Sequence, residues 1–251
     1  MSGALGGPPA GPVRWVPATV TAAWMETPGS RSLLLDAPEL APALAGQHVD
    51  IRLTAPDGYT AQRSYSLASP AGAEQLQVTV DRMPDGEVSP YLVDGLEVGD
   101  SIEVRGPIGG WFVWRPEQTE PVQLLAGGSG VVPMMSMIRT HAASGSTAPL
   151  RLLYSVRTPA GRFYTEELDR LAADGVVDLQ YVFTRETPPE WPRQAGRLTP
   201  ALVMEFGIVA ADAPSVYVCG PTPFVESVAD ALVRLGHDPS RVRTERFGAS
   251  G

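Results

Sequence analysis

The stretch Leu124-Leu125-Ala126-Gly127-Gly128-Ser129-Gly130-Val131-Val132-Pro133-Met134-Met135-Ser136-Met137-Ile138 constrains this chain more than any other. A short apolar run stops at three glycines in four positions, and a proline stands where a helix can begin. That is the grammar of a buried strand, a tight turn and a helix. Glycines at such a turn allow positive φ and let another group come close to the backbone. The N-terminus of the helix presents N–H groups without intrahelical partners and a partial positive charge, which suits a phosphate. The same stretch also serves as a plain turn between two core elements, since an isolated glycine motif is a weak signal. It departs from the ordinary dinucleotide fingerprint in two ways. Counted from Gly128, Pro133 replaces the third glycine of G-x-G-x-x-G. No acidic residue closes the next strand, where Arg157 stands instead.

The chain follows different patterns on the two sides of this region. From Val13 to about Trp114, short strand-like runs alternate with turns: Ala18–Met25, Arg31–Asp36, His48–Leu53, Arg63–Ala68, Leu76–Val80, Ser101–Arg105 and Gly110–Trp114. Thr27-Pro28-Gly29, Pro56-Asp57-Gly58, Ser69-Pro70-Ala71-Gly72 and Pro84-Asp85-Gly86 separate them. One short helix is expected over Pro90–Leu96, with Ser89 as its N-cap. Closely spaced strands of this kind predict a barrel or sandwich. After Arg115, strands alternate with helices. Strands are expected at Val122–Ala126, Leu150–Val156, Asp178–Thr184, Ser215–Cys219 and Arg241–Phe247. Helices are expected at Val132–Ala143, Phe163–Ala173, Pro200–Phe206 and Pro223–Leu235, with Thr199 and Thr222 capping the last two. That alternation predicts a parallel sheet with right-handed crossovers, whose ligands sit at the carboxyl ends of its strands. Gly127–Gly130, Arg157, Thr184-Arg185 and Cys219-Gly220-Pro221 all fall at those ends. The expected divisions are a disordered stub over residues 1–12, a β domain over 13–116 and an α/β domain over 117–251.

Composition closes off several functions. A net charge of −9 speaks against nucleic acid as a partner, which needs a basic face. The single cysteine, Cys219, rules out an internal disulfide framework and a four-cysteine iron–sulfur site built from this chain alone. No His-Glu-x-x-His or Cys/His cluster marks a metal site. No apolar run reaches the roughly 18 residues of a membrane helix and no secretion signal opens the chain, so a cytoplasmic protein is expected.

Five short constellations carry chemically useful groups. Arg63-Ser64-Tyr65-Ser66 puts Arg63 and Tyr65 on one side of a strand and Ser64 and Ser66 on the other. That set can hold a phosphate, stack a flat ring and donate a hydrogen bond; it also suits an ordinary exposed strand. Gly86, Val88 and Ser89 lie in a loop that delivers N–H groups to the start of the short helix. Gly106-Pro107-Ile108-Gly109-Gly110 forms a corner before the second pattern begins. Cys219 stands at a strand end that opens a helix, where positive helix-end charge can lower a thiol pKa. No histidine is placed by sequence beside it, and a polar, unreactive contact is the better reading. Glu245-Arg246-Phe247-Gly248 ends the last strand. The methionines of the first α/β helix and the five tryptophans read as packing.

Taken in order, these motifs resemble the ferredoxin–NADP reductase superfamily, closest to the flavin reductase modules of bacterial oxygenase electron-transfer chains. The resemblance runs from about Val13 to Gly248. It implies a six-stranded antiparallel FAD-binding β-barrel followed by a five-stranded parallel α/β NAD(P)-binding domain. It also implies roles. Arg63 would meet the FAD phosphates, Ser64 and Tyr65 would line the flavin, and Ser66 would hydrogen-bond near flavin N5. Gly86, Val88 and Ser89 would bind the pyrophosphate. Gly127, Gly128, Ser129, Gly130 and Pro133 would carry the nicotinamide nucleotide, and Cys219, Gly220 and Pro221 would flank its ring. Glu245 would approach the reactive edge of the flavin, with Phe247 beside it. Ser66, Cys219 and Glu245 are the expected catalytic contacts.

The implied reaction is hydride transfer from NAD(P)H to flavin N5, followed by electron transfer to an acceptor. Members of the family often carry a fused two-iron, two-sulfur domain. Here the chain ends at Gly251, just after Glu-x-Phe-Gly, so a separate acceptor is expected: a ferredoxin, a haem or molybdenum enzyme, or free flavin or oxygen. Thr184-Arg185-Glu186 resembles the Ser-Arg-Glu of NADPH-using members, and Arg157 can add to it, so NADPH is favoured over NADH. Two other functions fit the same motifs: a reductase of diffusible flavin, and a non-catalytic flavin-binding subunit. Nothing in the sequence marks the oligomeric state.

Overall fold

The computed structural model describes residues 14–248; the stub expected over residues 1–12 lies outside them. The N-terminal half is a six-stranded antiparallel sheet made of β1 (Trp15–Thr27), β2 (Ser30–Asp36), β3 (His48–Thr54), β4 (Thr60–Ser66), β5 (Leu76–Asp81) and β6 (Ser101–Ile108). Its order is β4-β3-β6-β1-β2-β5. Strand alternation produces the core: Val16, Ala18 and Val20 of β1 point inward while Pro17 and Thr19 face out. Leu33, Leu35, Val49, Ile51, Val78, Val80 and Val104 meet them there, all fully buried. Burying each such side chain is worth about 1.5–3 kcal/mol.

The C-terminal half is a five-stranded parallel sheet of β7 (Val122–Gly127), β8 (Leu150–Val156), β9 (Asp178–Phe183), β10 (Ser215–Pro221) and β11 (Val242–Phe247), ordered β11-β10-β7-β8-β9. Four helices connect the strands: α1 (Val131–Ser144), α2 (Thr165–Ala173), α3 (Pro200–Phe206) and α4 (Thr222–Arg234). All six residues of the central strand β7 are buried, as expected for a strand covered on both faces. Met134, Met135 and Met137 of α1 pack one face, and Val225, Val228 and Leu232 of α4 the other. Among the described residues no helix is long and apolar enough to cross a membrane. The expected architecture, antiparallel sheet then parallel sheet, is the one observed.

Some local expectations fail for identifiable reasons. Gly110–Trp114 is not a strand; only Trp114 forms a bridge, to Ala45. Phe112, Val113 and Trp114 are all buried in succession, which strand alternation does not allow, and Phe112 and Trp114 enter the core of the parallel sheet. Residue 164 delays α2. Tyr164 sits at φ 55, in the left-handed region, so the helix starts at Thr165, two residues later than expected, with Phe163 and Tyr164 as core. Ser89 does not cap the short helical turn at Tyr91–Gly95; its hydroxyl accepts the Met83 N–H at 3.1 Å instead and ties the preceding loop. Thr222 is the first residue of α4 and makes no capping bond, whereas Thr199 caps α3 by accepting from the Leu202 N–H.

The two sheets are pinned together along one flank. Tyr164, from the loop between β8 and α2, donates its N–H to Glu26 of β1 at 3.1 Å. Its phenol meets the hydroxyl of Thr79, which meets Ser32, which donates to the other oxygen of Glu26. The hydrogen bonds thus close a ring. Beside it Arg139 of α1 donates to the Ala68 carbonyl at 2.8 Å, to Gln77 at 2.7 Å, and through two nitrogens to Glu167. Ser136 donates to the Ser69 carbonyl, and Thr140 accepts from the Ala71 N–H.

Candidate functional site

Parallel pairing brings the carboxyl ends of β7, β8, β9, β10 and β11 to one edge. Cys219 lies in register with Ala126 on one side and Glu245 on the other. The glycines at this edge serve two different ends. A methyl group on Gly130 would fall 2.1 Å from the Cys219 carbonyl oxygen, and one on Gly220 would fall 2.8 Å from the Phe224 ring and 3.1 Å from the Gly127 backbone. These positions are therefore small so that β10 can pack directly against the turn before α1, against β7 and against α4. Gly128 is different: it has φ +57 with nothing within 4 Å of where a side chain would begin. It alone leaves open space beside the turn, next to the half-buried Ser129. Pro133 is buried in the first turn of α1.

Cys219 does not behave as a helix-end thiol. It is fully buried within the core, and burial, reinforced by the charge of Glu245, pushes its pKa well above the ordinary value. The expected lowering is thus reversed, because desolvation of a thiolate outweighs the partial charge of a helix end. Its thiol is closed off from solvent.

Glu245 is the reactive-looking group at the edge. Burial raises its carboxyl to about 7, and its Oε2 is buried without a hydrogen-bond partner. Across from it stands His48 of β3, with Nδ1 3.9 Å from Glu245 Oε1. Burial lowers the His48 pKa, against the opposing charge of Asp50. The contact looks like an ion pair by distance, yet a stable ion pair would raise His48 and lower Glu245. Both move the other way, so near neutral pH the imidazole is uncharged and the carboxyl is partly protonated. This is where the edge of the parallel sheet meets the wall of the antiparallel one. His48 is in register with Ser66, so the half-buried Ser66 lies at the same level. Gln47 donates to the Gly109 carbonyl at 2.7 Å and holds the corner next to His48.

Further along β4, Ser64 donates to Asp50 at 2.6 Å, and Arg105 donates to the other oxygen of that carboxylate. Burial would raise Asp50, but these donors hold it below the usual carboxylate range. Ser64 is therefore committed to the barrel wall. Tyr65 packs against the barrel core, and burial raises its phenol pKa. Arg63 points out of the wall and donates to Glu87 Oε2 at 3.3 Å, while Tyr59 donates to Glu87 Oε1 at 2.6 Å. The fold thus brings Arg63 to the Gly86–Ser89 loop, which is anchored by the fully buried Val88. The Val88 carbonyl also accepts the Leu92 N–H at 3.1 Å, which joins the loop to the helical turn beyond it.

On the far side of the edge the Arg185 and Glu186 N–H groups both donate to the Arg157 carbonyl, so the two arginines and the half-buried Thr184 share one corner. Both guanidinium groups are exposed, and among the described residues neither is held by a carboxylate. Gly220 and Pro221 close β10, and Phe247, 37% exposed, pairs with Pro221 on β11.

These residues suit two phosphate-bearing cofactors. The donors are a guanidinium, a phenol and an open positive-φ turn. Between them lies one buried carboxyl oxygen lacking a partner. Reading the sequence did not single out His48, Gln47, Tyr59 or Glu87. The only sequence signal for His48 is its place at the start of β3, opposite the Arg63–Ser66 strand.

Comparison with known proteins agrees in both halves. Residues 32–113 match the family model of an oxidoreductase FAD-binding domain, and residues 124–230 that of an oxidoreductase NAD-binding domain. The reductase subunit of glycine betaine monooxygenase from Chromohalobacter salexigens is 32% identical over 210 residues, 82% of this chain and 56% of that protein. NADH-cytochrome b5 reductase 1 of Pyricularia oryzae is 33% identical over 206 residues, 78% of this chain and 65% of the relative. The chain thus spans between about half and two thirds of the length of these relatives. The crystal structure of the FAD/NAD-binding domain of nitric oxide dioxygenase from Vibrio cholerae superposes with a TM-score of 0.82 at 25% identity, covering 92% of this chain and 98% of that one. With both domain models matched in order and the two-sheet architecture in common, the chain belongs to the ferredoxin–NADP reductase superfamily.

Proposed function

We propose that this chain is an NAD(P)H-dependent flavoprotein reductase that takes hydride from a nicotinamide nucleotide and passes electrons to a separate redox partner. The observation that carries this reading is the meeting of the two half-sites at His48 and Glu245, 3.9 Å apart. Bound FAD supplies a hydride acceptor that can release its electrons one at a time. The chain's own contribution is to hold two cofactors in reacting order and to manage a proton. Arg63 and the Gly86–Ser89 loop hold a diphosphate, and Tyr65 offers a ring face beside them. Gly128 and Ser129 carry the nucleotide on the opposite side. Glu245, poised near neutral pH and missing one hydrogen-bond partner, accepts or donates a proton at its Oε2. His48 stays neutral and faces the other carboxyl oxygen, Oε1, at 3.9 Å. The expected catalytic part for Cys219 narrows to packing, its backbone shaping the edge while its thiol stays inside.

Arg157 and Arg185 support NADPH as the donor, because two exposed guanidinium groups without carboxylate partners suit a second phosphate. Arg185→Ala should raise the KM for NADPH about tenfold and leave that for NADH nearly unchanged. Equal effects on both nucleotides would remove Arg185 from the phosphate site. Tyr65→Ala tests the flavin half. The variant should lose its yellow cofactor on gel filtration; full retention together with full NAD(P)H oxidation would overturn the assignment. The acceptor is proposed only by class, as a one-electron redox protein. The relatives' names (a monooxygenase reductase subunit, a cytochrome b5 reductase) describe those proteins.

A further inference from the structure

Glu87 stands inside the proposed phosphate site. Its two carboxylate oxygens are each taken by a donor that a phosphate would use: the Tyr59 phenol on one at 2.6 Å, the Arg63 guanidinium on the other at 3.3 Å. The Glu87 carboxylate is the dominant cause of a raised Tyr59 pKa, so the phenol keeps its proton and remains a donor. The loop places this side chain between Gly86 and the buried anchor Val88, and a side chain on Gly86 would fall 2.9 Å from Ser89 Oγ. The loop's shape therefore fixes where the carboxylate stands. Both members of the ion pair are more than half exposed, at 57% and 51% of the side chain, so the pair is easily opened.

We propose that Glu87 is an internal anion that occupies the phosphate position of Arg63 and Tyr59 and so weakens, in a salt-dependent way, the hold of this chain on the diphosphate of FAD. The proposal rests on the function argued above and deepens it: the flavin exchanges with solution. A bound diphosphate must displace the Glu87 carboxylate from Arg63 and then lie beside an uncompensated negative charge. Removing that charge removes both the competitor and the repulsion. Glu87 thereby sets affinity in a direction opposite to its neighbours, since it is a residue of the site whose loss improves binding.

The test is titration of the full-length chain, freed of flavin, with FAD, followed by quenching of flavin fluorescence at low and high salt. Glu87→Gln should bind FAD about three- to tenfold more tightly than the wild type at low salt, with the gap closing as salt screens the charge. Tyr59→Phe, which removes a phosphate donor and leaves the Glu87 charge in place, should weaken binding by a small factor. Arg63→Gln should bind about tenfold more weakly. All three side chains are exposed, and matching thermal melts would show that the fold is kept. Glu87→Gln binding no tighter than wild type, with Arg63→Gln still weakened, would overturn the proposal while leaving the flavin site in place. An Arg63→Gln variant that binds like wild type would remove the phosphate site on which Glu87 is argued to act. Failure of the wild type to bind FAD at all would overturn the proposed function and this inference with it.

Discussion

The two flanks along which the sheets of this protein meet are built in opposite ways. On the flank of β1, β2 and β5, a directed ring of hydrogen bonds runs from Tyr164 through Thr79 and Ser32 to Glu26, and Arg139 satisfies acceptors from both halves. On the flank of β3 and β4, the cross-sheet contact is a 3.9 Å approach of two groups that both favour their uncharged forms, with one carboxyl oxygen left unpaired. Buried polar groups are nearly always satisfied, and each exception calls for an explanation. Here the satisfied flank ties the halves together, and the unsatisfied flank is where the proposed function places the cofactors. Rigidity on one side is what allows the other to stay open and keep its geometry.

The comparison can be broken most severely at Arg139. Arg139→Met leaves Glu167, Gln77 and the Ala68 carbonyl without their donor, and should lower unfolding free energy by about 3 kcal/mol in urea denaturation. The matched change on the open flank, His48→Gln, should move the midpoint hardly at all. Equal losses would erase the distinction between the flanks.

Next in size is a gain. The carboxyl of Glu245 titrates at about 7 in the folded chain against an ordinary value of 4.5. The folded state therefore binds more protons than the unfolded state between those values, and the stability this contributes is full below 4.5 and is lost as pH rises through 7. Glu245→Gln should match wild type at pH 4 and exceed it by about 2 kcal/mol at pH 8, after discounting for the 27% exposure of the side chain. A gap that did not depend on pH would mean the carboxyl is not desolvated. The smallest effect is expected from Tyr164→Phe, which removes one hydroxyl from the ring. It should cost about 1 kcal/mol in thermal unfolding. A null result would mean that Thr79 and Ser32 hold Glu26 unaided.

How much of this could be read from the sequence follows from how local each signal is. The turn at Gly127–Pro133 could be read because strand, glycines and helix are contiguous. So could the outward placement of Arg63, because a strand alternates. What the glycines are for could not. Gly130 and Gly220 are small because of Cys219 and Phe224, contacts made only once β7, β10 and α4 come together. The full burial of Cys219 is hidden for a related reason: a helix end is visible in sequence, whereas burial is a property of the assembled core. The partnership of His48 and Glu245 joins opposite ends of the chain, and neither residue belongs to a motif shared with the other. The strand expected over Gly110–Trp114 failed because Phe112 and Trp114 both bury in the neighbouring domain, a destination that periodicity does not record.

The central claim is that the open flank brings a nicotinamide nucleotide and a flavin into reacting order. Rapid anaerobic mixing of the FAD-loaded full-length chain with NADPH, and separately with NADH, tests it most directly, with flavin absorbance followed in a single turnover and no acceptor added. The flavin should bleach within that turnover, faster with NADPH, and Glu245→Gln should flatten the pH dependence of the rate near 7. A chain that holds FAD firmly but leaves it oxidised with either nucleotide would contradict the account.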